Sequence, residues 1–328
     1  MKESDILIIK TWKKSIELLK LEALLRRLSK SHPKRQLVEK DYAIKSAGFR
    51  GELSLDYPLG FLPEKDYLIF HNIRLKFNDN YFQIDTLLIS PKFILILESK
   101  NISGILEFDH LNKQLIRTFN DSINVYPDPV QQVKLQRFQL GSWLELNKIT
   151  TIPIKTHVVV TNPNSLIRIV PRNTYYQKKI IRSTILFERI KELSTQFNND
   201  LLSRKEIRKL SNLLLKLDTP LNPDILKTYQ INPNDLVKGV HCPSCDTIPM
   251  ARVRGSFLCP QCTTISKDAY LASLSDYALL VKPTITNTEM REFLLIHSAS
   301  IVKKMLATLN LSYTGTTKDR RYHLPSNE

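Results

Sequence analysis

Residues 6–31 are predicted to form an amphipathic helix, because leucines recur at helical spacing at Leu18, Leu21, Leu25 and Leu28. The helix is predicted to end at His32-Pro33, because the residue before a proline avoids the helical region. A second helix is predicted from about Leu37 through Leu55. The first part of the chain is therefore expected to be helical.

Short apolar runs then predict strands, at residues 67–74, 83–90, 93–100, 104–108, 115–119, 154–160 and 180–187. Further helices are predicted at residues 130–146, 187–197 and 203–217. The sequence Ser90-Pro91-Lys92 joins two of the strands and predicts a hairpin. The mixture of strands and helices indicates an α/β fold.

The strand at 93–100 is apolar on both faces but ends with two charged residues on one face, Glu98 and Lys100. Continuous apolar character is typical of a central strand with helices on each side. Buried charge is costly unless it is paired or bound to a metal. If the hairpin is in register, Asp85 lies beside Glu98, and two carboxylates are suitable ligands for Mg²⁺ or Mn²⁺. Lys100 would then orient a water molecule that attacks phosphorus.

The same residues also allow a simpler interpretation. The pattern D-x(n)-E-x-K is short and common in proteins. It fits an ordinary pair of Lys100 and Glu98 at a strand edge, with Asp85 near a turn. The spacing alone leaves both interpretations open.

Three runs in this region resemble the nuclease-related domain (NERD) family. They are Gly51-Glu52, Phe82-Gln83-Ile84-Asp85-Thr86-Leu87-Leu88-Ile89 and Ile96-Leu97-Glu98-Ser99-Lys100-Asn101-Ile102-Ser103-Gly104. The motifs occur in order with family-like spacing, and the similarity covers about residues 45 to 160. The resemblance implies the restriction-endonuclease-like fold with its PD-(D/E)XK motif, in which a mixed sheet is flanked by helices.

The resemblance also implies roles for individual residues. Asp85 and Glu98 would bind Mg²⁺ or Mn²⁺, Lys100 would be the catalytic lysine, and Glu52 would be an accessory carboxylate on the preceding helix. The run Asp128-Pro129-Val130-Gln131-Gln132 is similar to the family's N-P-x-x-Q helix start, and implies that its last glutamine faces the site. Aspartate replaces asparagine in this run, which affects only the helix cap, because aspartate also caps helices.

The cysteines of the chain lie in one short window as two C-x-x-C pairs: Cys242, Cys245, Cys259 and Cys262. Four thiolates at this spacing suit tetrahedral Zn²⁺ in a reducing compartment, and they predict a small zinc ribbon. A redox dithiol is the alternative, but two matched pairs argue against it. The module is similar to zinc ribbons of some bacterial topoisomerases, which implies either a nucleic-acid contact near Arg252 and Arg254 or a purely structural role.

The chain carries 48 lysines and arginines against 32 aspartates and glutamates, a formal net charge of +16. This excess favours a polyanionic partner, because each cation that meets a phosphate releases a condensed counterion. A surplus that serves solubility is the alternative. No apolar run approaches the roughly 18 residues of a membrane span, and residues 1–14 contain no signal-peptide core. We therefore expect nucleic acid, preferably DNA, rather than a membrane as the partner, and a cytoplasmic location.

The C-terminal segment predicts a helix that begins at Thr286 or Asn287, a turn at His297-Ser298, a second helix over residues 299–309 and a two-stranded wing. This order is similar to a winged helix-turn-helix. Five basic residues would then contact DNA: Lys303, Lys304, Lys318, Arg320 and Arg321. A packing or dimerisation module is the alternative.

The predicted organisation comprises a basic N-terminal helix (1–40), a nuclease-like domain with a helical extension (41–217), a proline-containing linker (218–240), the zinc ribbon (241–265) and a helical C-terminal module (266–328). Three functions fit this organisation. The first is a Mg²⁺- or Mn²⁺-dependent nuclease or DNA-processing enzyme that hydrolyses phosphodiester bonds. The second is a non-catalytic nucleic-acid-binding protein on a degenerate nuclease fold. The third is a structural adaptor whose C-terminal module binds a protein partner or forms a homodimer.

Overall fold

The computed structural model describes residues 8–149, 151–316 and 319–325. The chain separates into two compact units. Unit 1 comprises residues 1–13 and 46–220, and unit 2 comprises residues 14–45 and 221–328. The segment 1–40, predicted as one helical element, is thus divided between the two units.

In chain order the helices are α1 (Ile16–Arg27), α2 (Arg35–Leu53), α3 (Asp56–Leu59), α4 (Pro129–Leu146), α5 (Thr174–Lys179), α6 (Leu186–Gln196), α7 (Arg204–Leu217), α8 (Ile225–Tyr229), α9 (Ala269–Leu280), α10 (Asn287–Leu294) and α11 (Ala299–Thr308). The strands are β1 (Ile8–Lys10), β2 (Leu68–Phe77), β3 (Asn80–Ile89), β4 (Ile94–Lys100), β5 (Gly104–Asp109), β6 (Gln114–Phe119), β7 (Ser122–Pro127), β8 (Ile154–Val160), β9 (Ser165–Val170), β10 (Ile180–Arg182), β11 (Ala251–Val253), β12 (Ser256–Leu258), β13 (Ile265–Ser266), β14 (Thr284–Ile285), β15 (Tyr313–Thr314) and β16 (Arg321–His323). No helix in this described part of the chain is long and apolar enough to cross a lipid bilayer.

A six-stranded mixed sheet with the order β1-β2-β3-β4-β8-β10 lies at the centre of unit 1. Strand β3 is antiparallel to β2 and β4, whereas β8 is parallel to β4 and β10. One face buries Ile94 and Ile96 against α4 and α7. The other face buries Leu95 and Leu97 against α3 and α6. The expected mixed sheet flanked by helices is confirmed.

A second sheet of unit 1 has the strand order β7-β6-β5-β9. Its strand β5 follows β4 directly in the chain. Gly104 makes the sharp connection, with a φ of +102°. A Cβ at this position would lie 2.5 Å from the carbonyl oxygen of Thr118, so that a side chain is excluded. The sheet packs Leu106 and Phe108 against Val130 and Val133 of α4. It therefore fixes the start of the helix that faces the end of β4.

The predicted first helix and the strand predicted at 180–187 were both too long. Residues 8–10 form β1, which pairs in parallel with β2, and helix α1 begins only after Ser15. The hydroxyl of Ser15 accepts a hydrogen bond from the N–H of Leu18 at 3.2 Å. In the second case only β10 is extended, and a 3-10 turn then leads into α6. A strand of three residues depends on its distant partner, which a local pattern does not reveal.

In unit 2, helices α1, α8 and α9 share a core that includes Leu21, Leu24 and Leu280. The segment predicted as a linker, 218–240, contributes α8 and the buried Tyr229 to this core. Pro223 precedes the cap of α8 and Pro233 starts a 3-10 turn, where a missing N–H does no harm. Proline content alone therefore does not identify a segment as a linker.

The C-terminal module consists of α9, β14, α10, α11, β15 and β16, and its strands have the order β14-β16-β15. Thr286 caps α10 and Ser298 caps α11. Leu295, in the turn between these helices, has a left-handed φ of 56°. The module thus has the expected helix, turn, helix and two-stranded wing, and adds β14 as a third strand. Lys318, expected on the wing, lies outside the described residues.

Candidate functional site

Asp85 lies in β3 at an interruption of the pairing between β2 and β3. The ladder skips Asn72 and Asp85, and Asn72 has a left-handed φ of 54°. Irregularities of this kind often re-aim a side chain next to a functional site. The Oδ2 atom of Asp85 accepts hydrogen bonds from the N–H of Ser99 at 3.0 Å and from its hydroxyl at 3.3 Å. The carboxylate of Asp85 is thereby attached to the end of β4.

Glu98 lies opposite Asp85, one position beyond the last pair of the β3–β4 ladder. The residue is only 3% exposed. The ammonium of Lys100 donates a hydrogen bond to Oε1 of Glu98 at 2.6 Å and contacts Oε1 of Gln132 at 3.3 Å. The structure therefore brings together all four of these residues, which the sequence had singled out.

Helix α4 presents two glutamines to this site, one turn apart, and the second was not expected from the sequence. The Nε2 atom of Gln136 donates to Oε2 of Glu98 at 2.9 Å and to the carbonyl oxygen of Gln83 at 3.0 Å. The Oε1 atom of Gln136 is buried without a hydrogen-bond partner in the described structure. The spacing of four residues from Gln132 was the signal that could have identified Gln136.

Glu52 reaches the site from α2, because a glycine lets this helix approach the end of β4. A Cβ on Gly51 would lie 2.3 Å from Cβ of Asn101 and 2.8 Å from Oγ1 of Thr161. The side chain of Asn101 also donates a hydrogen bond to the carbonyl oxygen of Ala47 at 2.7 Å. Gly51 thus permits the close contact between α2 and Asn101, and this contact brings the neighbouring Glu52 to the site.

The three carboxylates strongly influence one another. Burial, followed by the charge of Glu98, raises the pKa of Glu52 to about 7. Burial and the charges of Glu98 and Glu52 raise the pKa of Asp85 well above its ordinary value. Burial disfavours the ammonium of Lys100, but the charges of Glu98 and Asp85 outweigh it, and the pKa of Lys100 rises. The site therefore favours additional positive charge.

Residues 47–161 match the family model of the nuclease-related domain. This part of the chain is therefore similar to a nuclease-related domain. The match supports a nuclease-related function and interaction with nucleic acid. The matched region includes every residue of the carboxylate site: Glu52, Asp85, Glu98, Lys100, Gln132 and Gln136.

No curated protein matches the chain. Among solved structures, the crystal structure of protein VC1899 from Vibrio cholerae is similar at 12% sequence identity, over 56% of this chain and 52% of that chain, with a TM-score of 0.25. A TM-score of this size does not establish a shared fold. The similar region spans about half the length of that protein.

The donor atoms of the carboxylate site fit a hard divalent cation. Glu52, Asp85 and Glu98 offer carboxylate oxygens, which Mg²⁺ and Mn²⁺ prefer. A cation would also relieve the repulsion that raises the pKa of Glu52 and Asp85. The three carboxylates do not form a set within 4.8 Å of one another, as the cysteine sulfurs do. Bound water would complete the contacts, since Mg²⁺ usually keeps several waters.

The four cysteines form a second site, in which all four sulfur atoms lie within 4.8 Å of one another. The Sγ atoms of Cys242 and Cys262 are 3.5 Å apart, as are those of Cys245 and Cys259. The two pairs have matching turns, because Asp246 and Thr263 each follow a pair with a left-handed φ. Such a group can bind a metal ion such as zinc, and the expected ribbon is present as the three-stranded sheet β11-β12-β13.

Basic residues of the ribbon and the C-terminal module lie at the surface of unit 2. Arg252 and Arg254 are exposed at the β11–β12 hairpin, and Nη1 of Arg252 lies 3.9 Å from Sδ of Met305 on α11. Lys303 and Lys304 are exposed on the same helix. On the wing, Arg321 is exposed, and the guanidinium of Arg320 lies 4.1 Å from the centre of the Tyr313 ring. The ribbon and α11 thus contribute to one basic region.

Proposed function

We propose that the protein is a Mg²⁺- or Mn²⁺-dependent nuclease that hydrolyses phosphodiester bonds, with DNA as its substrate. The observation that supports this proposal is the group of Glu52, Asp85 and Glu98 beside Lys100. A protein that only bound nucleic acid would need no such group. Carboxylates buried side by side destabilise the fold unless a cation neutralises them, so that their presence favours a catalytic role.

Asp85 and Glu98 would hold the cation, with Glu52 as the accessory carboxylate. When bound, the cation would stabilise charge on the phosphate and promote ionisation of the attacking water. Lys100, held 2.6 Å from Glu98, would orient that water and neutralise charge that develops on the phosphate oxygens. Gln132 would position Lys100. The amide of Gln136 would hold the Oε2 atom of Glu98 in place.

Unit 2 would bind the nucleic acid. In this proposal Zn²⁺ is bound by the four cysteines and stabilises the ribbon. Arg252 and Arg254 on the ribbon, and Lys303 and Lys304 on α11, would contact DNA phosphates. Arg320 and Arg321 would extend the same surface. Free thiolates need a reducing compartment, which supports the cytoplasmic location expected from the sequence.

A second candidate is a non-catalytic nucleic-acid-binding protein on a nuclease fold. The contact of Lys100 with both Glu98 and Gln132 favours it, since an ammonium engaged by two side chains has fewer donors for water. This candidate predicts salt-sensitive binding that survives removal of Asp85 or Glu98, with no cleavage.

Cleavage of labelled single- and double-stranded DNA with Mn²⁺ distinguishes the two candidates. The intact protein would be compared with Glu98→Ala, with Lys100→Ala and with Glu64→Ala, an exposed glutamate of the same unit. We expect cleavage by the intact protein and the Glu64 variant, and its loss in the other two variants with binding retained. Binding without cleavage by the intact protein, on every substrate and with every divalent metal, would support the second candidate instead.

A further inference from the structure

A cluster of basic residues lies beside α4, on the flank opposite the carboxylate site. Lys134 and Arg137 are three residues apart and share this side of the helix. Lys179, the last residue of α5, approaches them across the ring of Tyr175. The ammonium of Lys134 lies 4.9 Å from the centre of that ring, and the ammonium of Lys179 lies 5.7 Å from it. Two separate elements therefore place cations around one aromatic side chain.

The cations of this cluster have no carboxylate partner among the described residues. No ion pair within 4.0 Å is formed in that part of the chain by Lys134, Arg137 or Lys179, or by the nearby Lys155 of β8. Lys179 is held instead by neutral acceptors, the carbonyl oxygen of Thr156 at 3.1 Å and its hydroxyl at 2.9 Å. An ammonium has three N–H donors, so that one remains for a ligand.

The charges around Lys179 act against its protonated form. Burial, followed by the charges of Arg137, Lys155 and Lys134, lowers the pKa of Lys179 to about 8. Asp128 also faces Tyr175, but it is buried and is engaged by the hydroxyl of Tyr176 and by the start of α4. Cationic side chains that repel one another, with no carboxylate to neutralise them, are suited to bind an anion from outside the protein.

We propose that Lys134, Arg137 and Lys179 bind a backbone phosphate of the nucleic-acid strand on which the carboxylate site acts. This inference rests on the proposed nuclease function and adds a second point of contact with the substrate. Phosphate contacts of this kind fix the register of a strand without reading its sequence.

The geometry of α4 sets the distance between the two points of contact. Gln132 and Gln136 lie on one flank of the helix and the cations lie on the other. A helix with its side chains is about 10 Å wide, which corresponds to about three nucleotides at a rise of about 3.4 Å. Between the flanks, the outer surface of α4 exposes Leu135 by 57% and Phe138 by 64%. Exposed aromatic rings are surfaces on which bases stack.

The test is the binding of a labelled single-stranded DNA, measured by fluorescence anisotropy without added Mg²⁺ or Mn²⁺ so that cleavage does not interfere. The variant Lys134→Gln/Arg137→Gln changes two exposed residues and leaves the buried contacts of Lys179 intact. The matched control is Lys65→Gln/Lys205→Gln, which removes the same charge from exposed lysines of unit 1. We expect the first variant to bind DNA about tenfold or more weakly. The slope of the logarithm of the binding constant against the logarithm of the salt concentration should be smaller by about 1.4, the value for two contacts with a single strand. The control should change neither quantity appreciably.

Lys179 provides a second, independent readout. The bound phosphate favours the ammonium, so that affinity should fall as pH rises through about 8, the pKa of Lys179. Lys179→Arg keeps its charge at this pH and should bind DNA without that fall. Lys179→Gln should weaken binding at every pH.

The outcomes separate this inference from the proposed function. If the intact protein cleaves DNA but the cluster variant and the control bind equally well, the phosphate contact is refuted and the nuclease function stands. An intact protein that neither binds nor cleaves DNA would refute both.

Discussion

Replacement of Glu52 by glutamine should stabilise the metal-free protein at alkaline pH. The pKa of Glu52 is raised from 4.5 to about 7, so that the folded state binds this proton more tightly than the unfolded state does. The resulting stability is fully present below the unfolded pKa of 4.5 and is lost as pH rises through about 7. At about 1.4 kcal/mol for each tenfold change in proton affinity, the cost of ionising Glu52 above that pH is about 3 kcal/mol.

The neutral amide of the Glu52→Gln variant avoids that cost. We therefore expect its free energy of unfolding at about pH 8 to exceed that of the intact protein by up to about 3 kcal/mol, with little difference near pH 4.5. The assay is urea unfolding in EDTA, followed by tryptophan fluorescence. Both tryptophans, Trp12 and Trp143, lie in unit 1, so that the signal reports the unit that contains the site.

Glu64→Gln is the control, since it removes an exposed carboxylate from the same unit. It should leave the pH dependence of unfolding unchanged. Added Mn²⁺ should stabilise the intact protein more at the higher pH, and should stabilise Glu52→Gln less. Equal urea midpoints for the intact protein and Glu52→Gln at about pH 8 would refute the inferred crowding of carboxylates.

Three further predictions follow from other contacts. Gly51→Ala should destabilise unit 1 by about 1–3 kcal/mol and reduce cleavage, because its Cβ would collide with Asn101 and push α2 away from β4. Gly48→Ala in the same helix meets no atom within 4 Å, and it should stabilise by about 0.5–1 kcal/mol in the same urea assay. Cys259→Ser should lower the zinc content of the purified protein, measured by atomic emission, whereas Ser266→Ala should not. Lys303→Gln/Lys304→Gln should reduce the log–log salt dependence of double-stranded DNA binding by about 1.8, and an unchanged slope would contradict the assigned surface.

The register of the site could be predicted because it depends on local pattern. Two apolar runs separated by a short turn place Asp85 opposite Glu98, since the length and type of the turn fix the register of a hairpin. The cysteine group was similarly accessible, because its ligands occur as two short pairs in one window. In both cases residues that meet in space are close in sequence.

Contacts between distant segments could not be predicted in this way. The guanidinium of Arg27 is fully buried and donates to Oδ2 of Asp276 at 2.9 Å, across 249 positions of the chain. No periodicity in α1 indicates that partner, and the bond belongs to a unit assembled from two separate segments. The same applies to the cluster around Tyr175, whose cations come from α4 and α5. Gln136 could be predicted only in part. Its spacing from Gln132 is visible in the sequence, but its contact with the site depends on how α4 is rotated against the sheet.

The most direct test of the central claim is Mn²⁺ binding and DNA cleavage measured together for the intact protein and Glu98→Gln. This substitution keeps the shape of the side chain and removes the charge of a proposed ligand. We predict that calorimetry detects Mn²⁺ binding to the intact protein, that Glu98→Gln loses both binding and cleavage, and that its zinc content and DNA affinity are unchanged. Cleavage by Glu98→Gln at the rate of the intact protein would contradict the assignment of the catalytic site.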